Sequence, residues 1–267
     1  MTEAGQPPIL ANKRHDAPSV FTPEKLLREA RRQQGLAEGE VPRFCILDPD
    51  GDIVQNLVET GLARRNLLWA CYHTTSYDFS YNRRAFGIVP NVVGASFAVL
   101  VAEELFASGC QLLVSITSAG QILDVAPPPY FVLIEKALRD EGTSYHYLPP
   151  SDYCQADPGL LSCLSPLLSW PTHKVLVGAT WTTDAPFRET AAAIDYARMQ
   201  GILGVEMEAA ALYAFAQVRK KSIICFALIT NCMGSVENDF EKGDVNGSLA
   251  TLELIDQVVQ LWDSETI

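Results

Sequence analysis

The sequence predicts an α/β layered domain, and three observations carry that expectation. From Arg43 onward, strand-like and helix-like segments alternate along the chain, the order that builds a sheet covered by helices. Several strand segments are continuous apolar runs rather than alternating ones, as in strands buried on both faces. At 267 residues and 48% hydrophobic, the chain can also enclose a sizeable core, in one large domain or two small ones.

Residues 1–20 are polar and proline-containing, with no periodic apolar face. Thr22-Pro23-Glu24 then starts a helix, with a hydroxyl at the N-cap, proline at the first helical position and an acid in the first turn. That helix runs through LLREARRQQ and stops at Gly35, and AEGEVP links it to the main body. Strands are expected at RFCIL, AFGIVPNV, CQLLVSIT, FVLIEKAL, HKVLVGAT, ILGVE and SIICFALIT. Helices are expected at IVQNLVE, ASFAVLVAEELFAS, ETAAAIDYARMQ, MEAAALYAFAQ and SLATLELIDQVVQLW, with Gly109 and Gly201 ending two of them. EAAALYAFAQ is apolar almost all round, which places its helix centrally. The simplest organisation is an extension over residues 1–42 and one domain over residues 43–267.

With 20 Lys+Arg against 32 Asp+Glu, the net charge is −12, which argues against nucleic acid or anionic membrane as a partner. No run of about 18 uncharged apolar residues suggests a membrane span, and MTEAGQPPILANKRHDAP lacks a signal pattern. Seven cysteines form no CxxC pair, and most sit in apolar runs like small buried hydrophobes. A reduced, cytoplasmic enzyme is expected.

Four junctions could carry chemistry. Glu206-Met207-Glu208 joins a buried strand to a buried helix, where the helix dipole favours negative charge. First-turn acids are common for that reason alone; an acid there could equally accept hydrogen bonds from sugar hydroxyls. Ser115 to Gln121 ends another strand with hydroxyls and a glycine, a place where α/β sheets bind ligands but also where ordinary turns form. Asp48-Pro49-Asp50-Gly51-Asp52 could bind a metal, supply a general base or simply turn, and it matches a calcium loop poorly. Thr182 to Thr190 sets Asp184, Phe187 and Arg188 at a further junction, where Arg188 could pair with Asp184 or either could reach a ligand. His15, His73, His146 and His173 show no HxH or HExxH spacing, and the chain has no P-loop, GxGxxG or GxSxG. No metal and no cofactor is expected.

In this order the segments resemble the nucleoside phosphorylase/nucleosidase superfamily, which includes uridine phosphorylase, hexameric purine nucleoside phosphorylases and methylthioadenosine nucleosidase. Gly201-Ile202-Leu203-Gly204-Val205-Glu206-Met207-Glu208-Ala209-Ala210-Ala211-Leu212-Tyr213 is similar to its strand–helix signature. Thr117-Ser118-Ala119-Gly120 stands in place of its Gly-Ser/Thr-x-Gly loop, and TTDAPFRET and Thr230-Asn231 fall at the expected intervals.

The resemblance implies a three-layer fold with a mixed, partly barrel-like central sheet flanked by helices, assembled as a dimer, trimer or hexamer. It implies cleavage of a nucleoside's N-glycosidic bond through an oxocarbenium-like sugar. By position, Glu208 would bind the ribose 2′- and 3′-hydroxyls, and Met207 would pack on the sugar. Glu206 would line the base side or hold the loop. Thr117, Ser118, Ala119 and Gly120 would border the substrate, Pro186 and Phe187 would lie near its base or sugar, and Arg188 is a further substrate-binding candidate. Asn231 stands where adenine-cleaving relatives carry an acid; an amide favours a 6-oxopurine or a pyrimidine.

The departures concern phosphate. Ser115 and Ile53 occupy places where phosphorolytic members use arginine, and the neighbouring carboxylates of Asp48, Asp50 and Asp52 would repel an anion. Hydrolysis is therefore favoured over phosphorolysis, with Asp50 or Asp52 as the base that activates water. A phosphorylase whose phosphate site is rebuilt by Arg84, Arg188 or a partner chain is the alternative, and a silent nucleoside-binding protein is a third reading.

Overall fold

The computed structural model describes residues 7–233 and 239–266; the first six residues of the expected leader lie outside the described residues. The first helix, α1 (Pro23–Gln34), ends as expected on left-handed Gly35, although the Thr22 side chain makes no capping hydrogen bond.

Five strands close on themselves. β5 (Leu112–Gln121) pairs with β10 (Ser222–Asn231), and β10 with β6 (Tyr130–Asp140). β6 pairs with β8 (Val175–Thr183), β8 with β9 (Ile202–Glu206), and β9 returns to β5. β1 (Phe44–Asp48) then adds to β5 and opens a wing through β4 (Arg84–Pro90), β3 (Tyr77–Tyr81) and β2 (Ala63–Arg65). The short β7 (Tyr153–Gln155) pairs with β6. Parallel and antiparallel pairings are mixed, as expected.

Helices cover the sheet in two groups. α3 (Ala95–Ala107) packs against α1 and against α6 (Ala209–Arg219), while α7 (Ser248–Thr266) packs against α2 (Asp52–Glu59) and α4 (Pro158–Cys163). α5 (Ala191–Met199) lies against β9. The apolar run Ala209 to Phe215 is buried throughout, so α6 is central as its composition implied. Tyr213, the one polar-tipped ring in that run, donates its hydroxyl to the Ile134 carbonyl at 2.6 Å, satisfying a group that would otherwise be costly to bury. Gly109 and Gly201 each follow a helix end with positive φ.

Among the described residues, no two cysteines form a disulfide. Among the described residues, no helix is long and apolar enough to cross a membrane.

Candidate active site

The carboxyl ends of β1, β5 and β10 run parallel, so the segments that follow them gather at one end of the barrel. There a cavity of about 400 Å³ is lined by Asp50, Thr117, Ser118, Gly120, Phe187, Glu206, Met207, Glu208 and Asn231, together with Val93, Glu189 and Phe240. Four sequence-distant junctions thus converge. A larger cavity, about 690 Å³, lies between α4, α6 and Trp262 at the amino end of β10; it contains none of these groups.

Glu206 is consumed by the fold. Its carboxylate accepts hydrogen bonds from the hydroxyls of Thr180 and Thr182 and from the backbone N–H groups of Glu208 and Ala209, the last two at 2.7 Å. Thr182 also accepts the Ala210 N–H at 3.0 Å. The start of α6, where free N–H groups need partners, is thereby capped from β8 and β9. Glu208 faces the cavity with less support, accepting the Gly94 N–H at 2.7 Å and the Met207 N–H at 3.2 Å. It is 1% exposed. Burial and then the neighbouring Glu206 charge push its pKa up to about 8, against the pull of those hydrogen bonds. Burial also raises the Glu206 pKa, but four donors make Glu206 the better home for the pair's charge.

Across the cavity stands Asp50. One of its oxygens, Oδ2, accepts the Ser118 N–H at 3.0 Å and the Ser118 hydroxyl. The turn that presents it needs Gly51, which sits at φ 81°, a region that disfavours side chains. Asp48 is buried behind this turn, accepting the N–H groups of Gly51 and Val54; burial lifts its pKa to about 7. Asp52 does not line the cavity. Its carboxylate is held by Lys242 at 2.5 Å and Asn246 at 3.3 Å.

Asn231 closes the far wall. Its Oδ1 accepts the Met233 N–H at 2.9 Å and its Nδ2 donates to Thr230 at 3.1 Å. Since only an acceptor can face Met233 N–H, the amide orientation is determined. At Gly120 a Cβ would displace the Met233 sulfur.

Four candidate residues stand apart. Ala119 is buried in the core cluster on the other face of β5, and Arg188 does not line the cavity. Asp184 accepts the Gly142 N–H at 2.8 Å. Arg84 pairs with Asp256 at 2.6 Å. It begins β4, six residues before Pro90 at the site end, or about 20 Å at strand rise. Phe187 is 98% exposed at the mouth. Ser115 and Ile53 are both buried, and the Ser115 hydroxyl has no hydrogen-bond partner.

Sequence reasoning missed the Gly94 N–H, Lys242, Phe240 and Glu189, whose pKa burial raises. Only Glu189, inside the flagged segment TTDAPFRET, carried any local signal. No group of three or more His, Cys, Asp or Glu is placed to hold a metal among the described residues.

A closed mixed barrel with a winged sheet, and a cavity of carboxylates and hydroxyls at its strand ends, define an α/β protein with an enzyme-like cleft. The phosphorylase superfamily profile matches residues 51–260, and the chain belongs to that nucleoside phosphorylase superfamily. It is 26% identical over 189 residues to an uncharacterized protein of Acanthamoeba polyphaga mimivirus, covering 67% of this chain and 74% of that one. It is 23% identical to a uridine phosphorylase of Thermococcus kodakarensis over 243 residues, 85% of this chain and 86% of the relative. The crystal structure of uridine phosphorylase from Vibrio fischeri matches the fold with a TM-score of 0.72 at 23% identity, covering 84% of this chain and 95% of that one. The same enzyme complexed with 6-hydroxy-1-naphthoic acid gives 0.71 at 21% identity, over 87% and 99% of the two chains.

Proposed function

We propose that this enzyme hydrolyses the N-glycosidic bond of a nucleoside carrying a 6-oxopurine or a pyrimidine. One observation carries the reading: among the described residues, the cavity is lined by the carboxylates of Asp50 and Glu208 and the hydroxyls of Thr117 and Ser118, with no Arg or Lys. A phosphate dianion would lack the charge-assisted hydrogen bonds that guanidinium groups supply, about 1.5–3 kcal/mol each. Water needs none of them.

Glu208 accepts the ribose 2′- and 3′-hydroxyls and faces the cationic sugar of the transition state, where an anion helps most. Met207 packs on the sugar. Asp50 takes a proton from the attacking water. The water oxygen bonds to C1′ as the C1′–N bond breaks, its electron pair leaves on the base nitrogen, and the base takes up a proton. Thr117, Ser118 and Gly120 border the sugar side. The uncommitted Nδ2–H of Asn231 donates to a base carbonyl, and Phe187 covers the base. Asp52 and Arg188, also candidates by sequence, act outside the reacting atoms.

The second reading, phosphorolysis, is favoured by the names of the Thermococcus and Vibrio relatives. Product analysis separates the two: uridine and inosine, incubated with inorganic phosphate, should yield free ribose, whereas ribose 1-phosphate would establish the phosphorylase. A homo-oligomer, dimer to hexamer and cytoplasmic, fits the exposed apolar side chains Leu62, Leu67, Phe187 and Phe240. Residues 1–42 are read as an extension to a catalytic domain over residues 43–267.

A further inference from the structure

We infer that Lys242 is a positioning residue that holds Asp50 in its working orientation, an inference that rests on the hydrolytic reading above. The Lys242 ammonium lies 3.2 Å from Asp50 Oδ2 and 2.5 Å from Asp52 Oδ2. Asp50 Oδ2 therefore receives three donors: this ammonium, the Ser118 N–H and the Ser118 hydroxyl. Its other oxygen has no protein partner among the described residues, and Asp50 lines the cavity. One oxygen is anchored and one is left for water.

The anchor is itself braced. Glu241 N–H donates to the Thr230 carbonyl at 2.8 Å, tying the lysine's segment to the end of β10 beside Asn231. Asn246 and Ser248 bond Asp52 from the same segment. The titratable groups nearest Asp50 are Asp48 at the end of β1, Asp52 at the start of α2 and Lys242 from the segment before α7, with Glu208 across the cavity. The Asp52 carboxylate repels that of Asp50, and the shared ammonium offsets the repulsion. Burial works against the charge on Lys242, but the hydrogen bond to Asp52 and the charges of Asp50 and Asp52 outweigh it and raise its pKa.

A general base gains its rate from fixed geometry, so loss of the ammonium should appear in kcat. Lys242→Met should lower kcat at least about tenfold with KM within about twofold. Lys242→Arg, or a small alkylammonium ion added to Lys242→Ala, should restore part of the rate. The decisive comparison is the double variant: if Lys242 acts through Asp50, Asp50→Asn/Lys242→Met should be no slower than Asp50→Asn alone. Additive losses, or a Lys242→Met effect confined to KM or to Tm, would overturn the inference while leaving the hydrolytic reading intact. Should Asp50→Asn itself leave kcat unchanged, the hydrolytic reading fails, and the inference with it. If Lys242→Met does not fold, Lys242→Gln enters the same cycle with the same expectations.

Discussion

Two acidic clusters face each other across the cavity, and they handle their charge in opposite ways. Glu206 and Glu208 lie at the join of β9 and α6, buried and tied to backbone N–H groups. With no cation within hydrogen-bonding reach among the described residues, the pair meets its burial by raised pKa values. Asp50, in the turn after β1, and Asp52, at the start of α2, are partly exposed and share the Lys242 ammonium. The buried pair gains strength from a low local dielectric, where a fixed anion stabilises a developing cation best. The exposed pair is met by a cation and keeps its access to water. On the hydrolytic reading proposed above, one pair would steady the sugar cation and the other activate water.

The contrast can be broken first at its frame. Leu212 is fully buried in α6, and Leu212→Ala should cost about 2–5 kcal/mol of stability in denaturant unfolding; a loss under about half a kcal/mol would make α6 peripheral. Next, Asp50→Asn should lower kcat at least about a hundredfold, as removal of a general base does. Glu208→Gln should reduce kcat/KM at least about tenfold, or about 1.4 kcal/mol, and unchanged turnover in the folded variant would remove Glu208 from the site.

The coupling inside the buried pair gives a pH test. If Glu208 accepts the two ribose hydroxyls as a carboxylate, as proposed, kcat/KM should rise with pH toward its elevated pKa of about 8. Glu206→Gln deletes the like charge while its amide can still serve Thr180 and Thr182. The rising limb should then move to lower pH by about one unit; a limb that stays put would assign the titration to another group. The smallest effect belongs to Asp52→Asn, about threefold or less in kcat, because its carboxylate meets Lys242 and Asn246 rather than the cavity.

Much of this fold was legible in the chain because its strands are continuous apolar runs and its helices carry their own stop signals. β2 and β3 escaped notice: ARR and YDFSY are short and mostly polar, and they pair at the sheet's edge. The strand–helix signature marked Glu206, Met207 and Glu208, but not which glutamate is spent on the fold. That depends on Thr180 and Thr182, more than twenty residues upstream. Likewise, Asp50 and Asp52 are equivalent as sequence. They differ only once Gly51 turns the loop and Lys242, 190 residues beyond Asp52, arrives. Contacts of that range leave no local pattern.

The central claim is that the attacking group is water, held by Asp50 in a cavity without guanidinium groups. Initial rates of base release from inosine and uridine, measured in phosphate-free buffer and again with increasing phosphate, test it most directly. The account predicts turnover without phosphate and no dependence on its concentration. Saturable activation by phosphate, with ribose 1-phosphate as product, would contradict it.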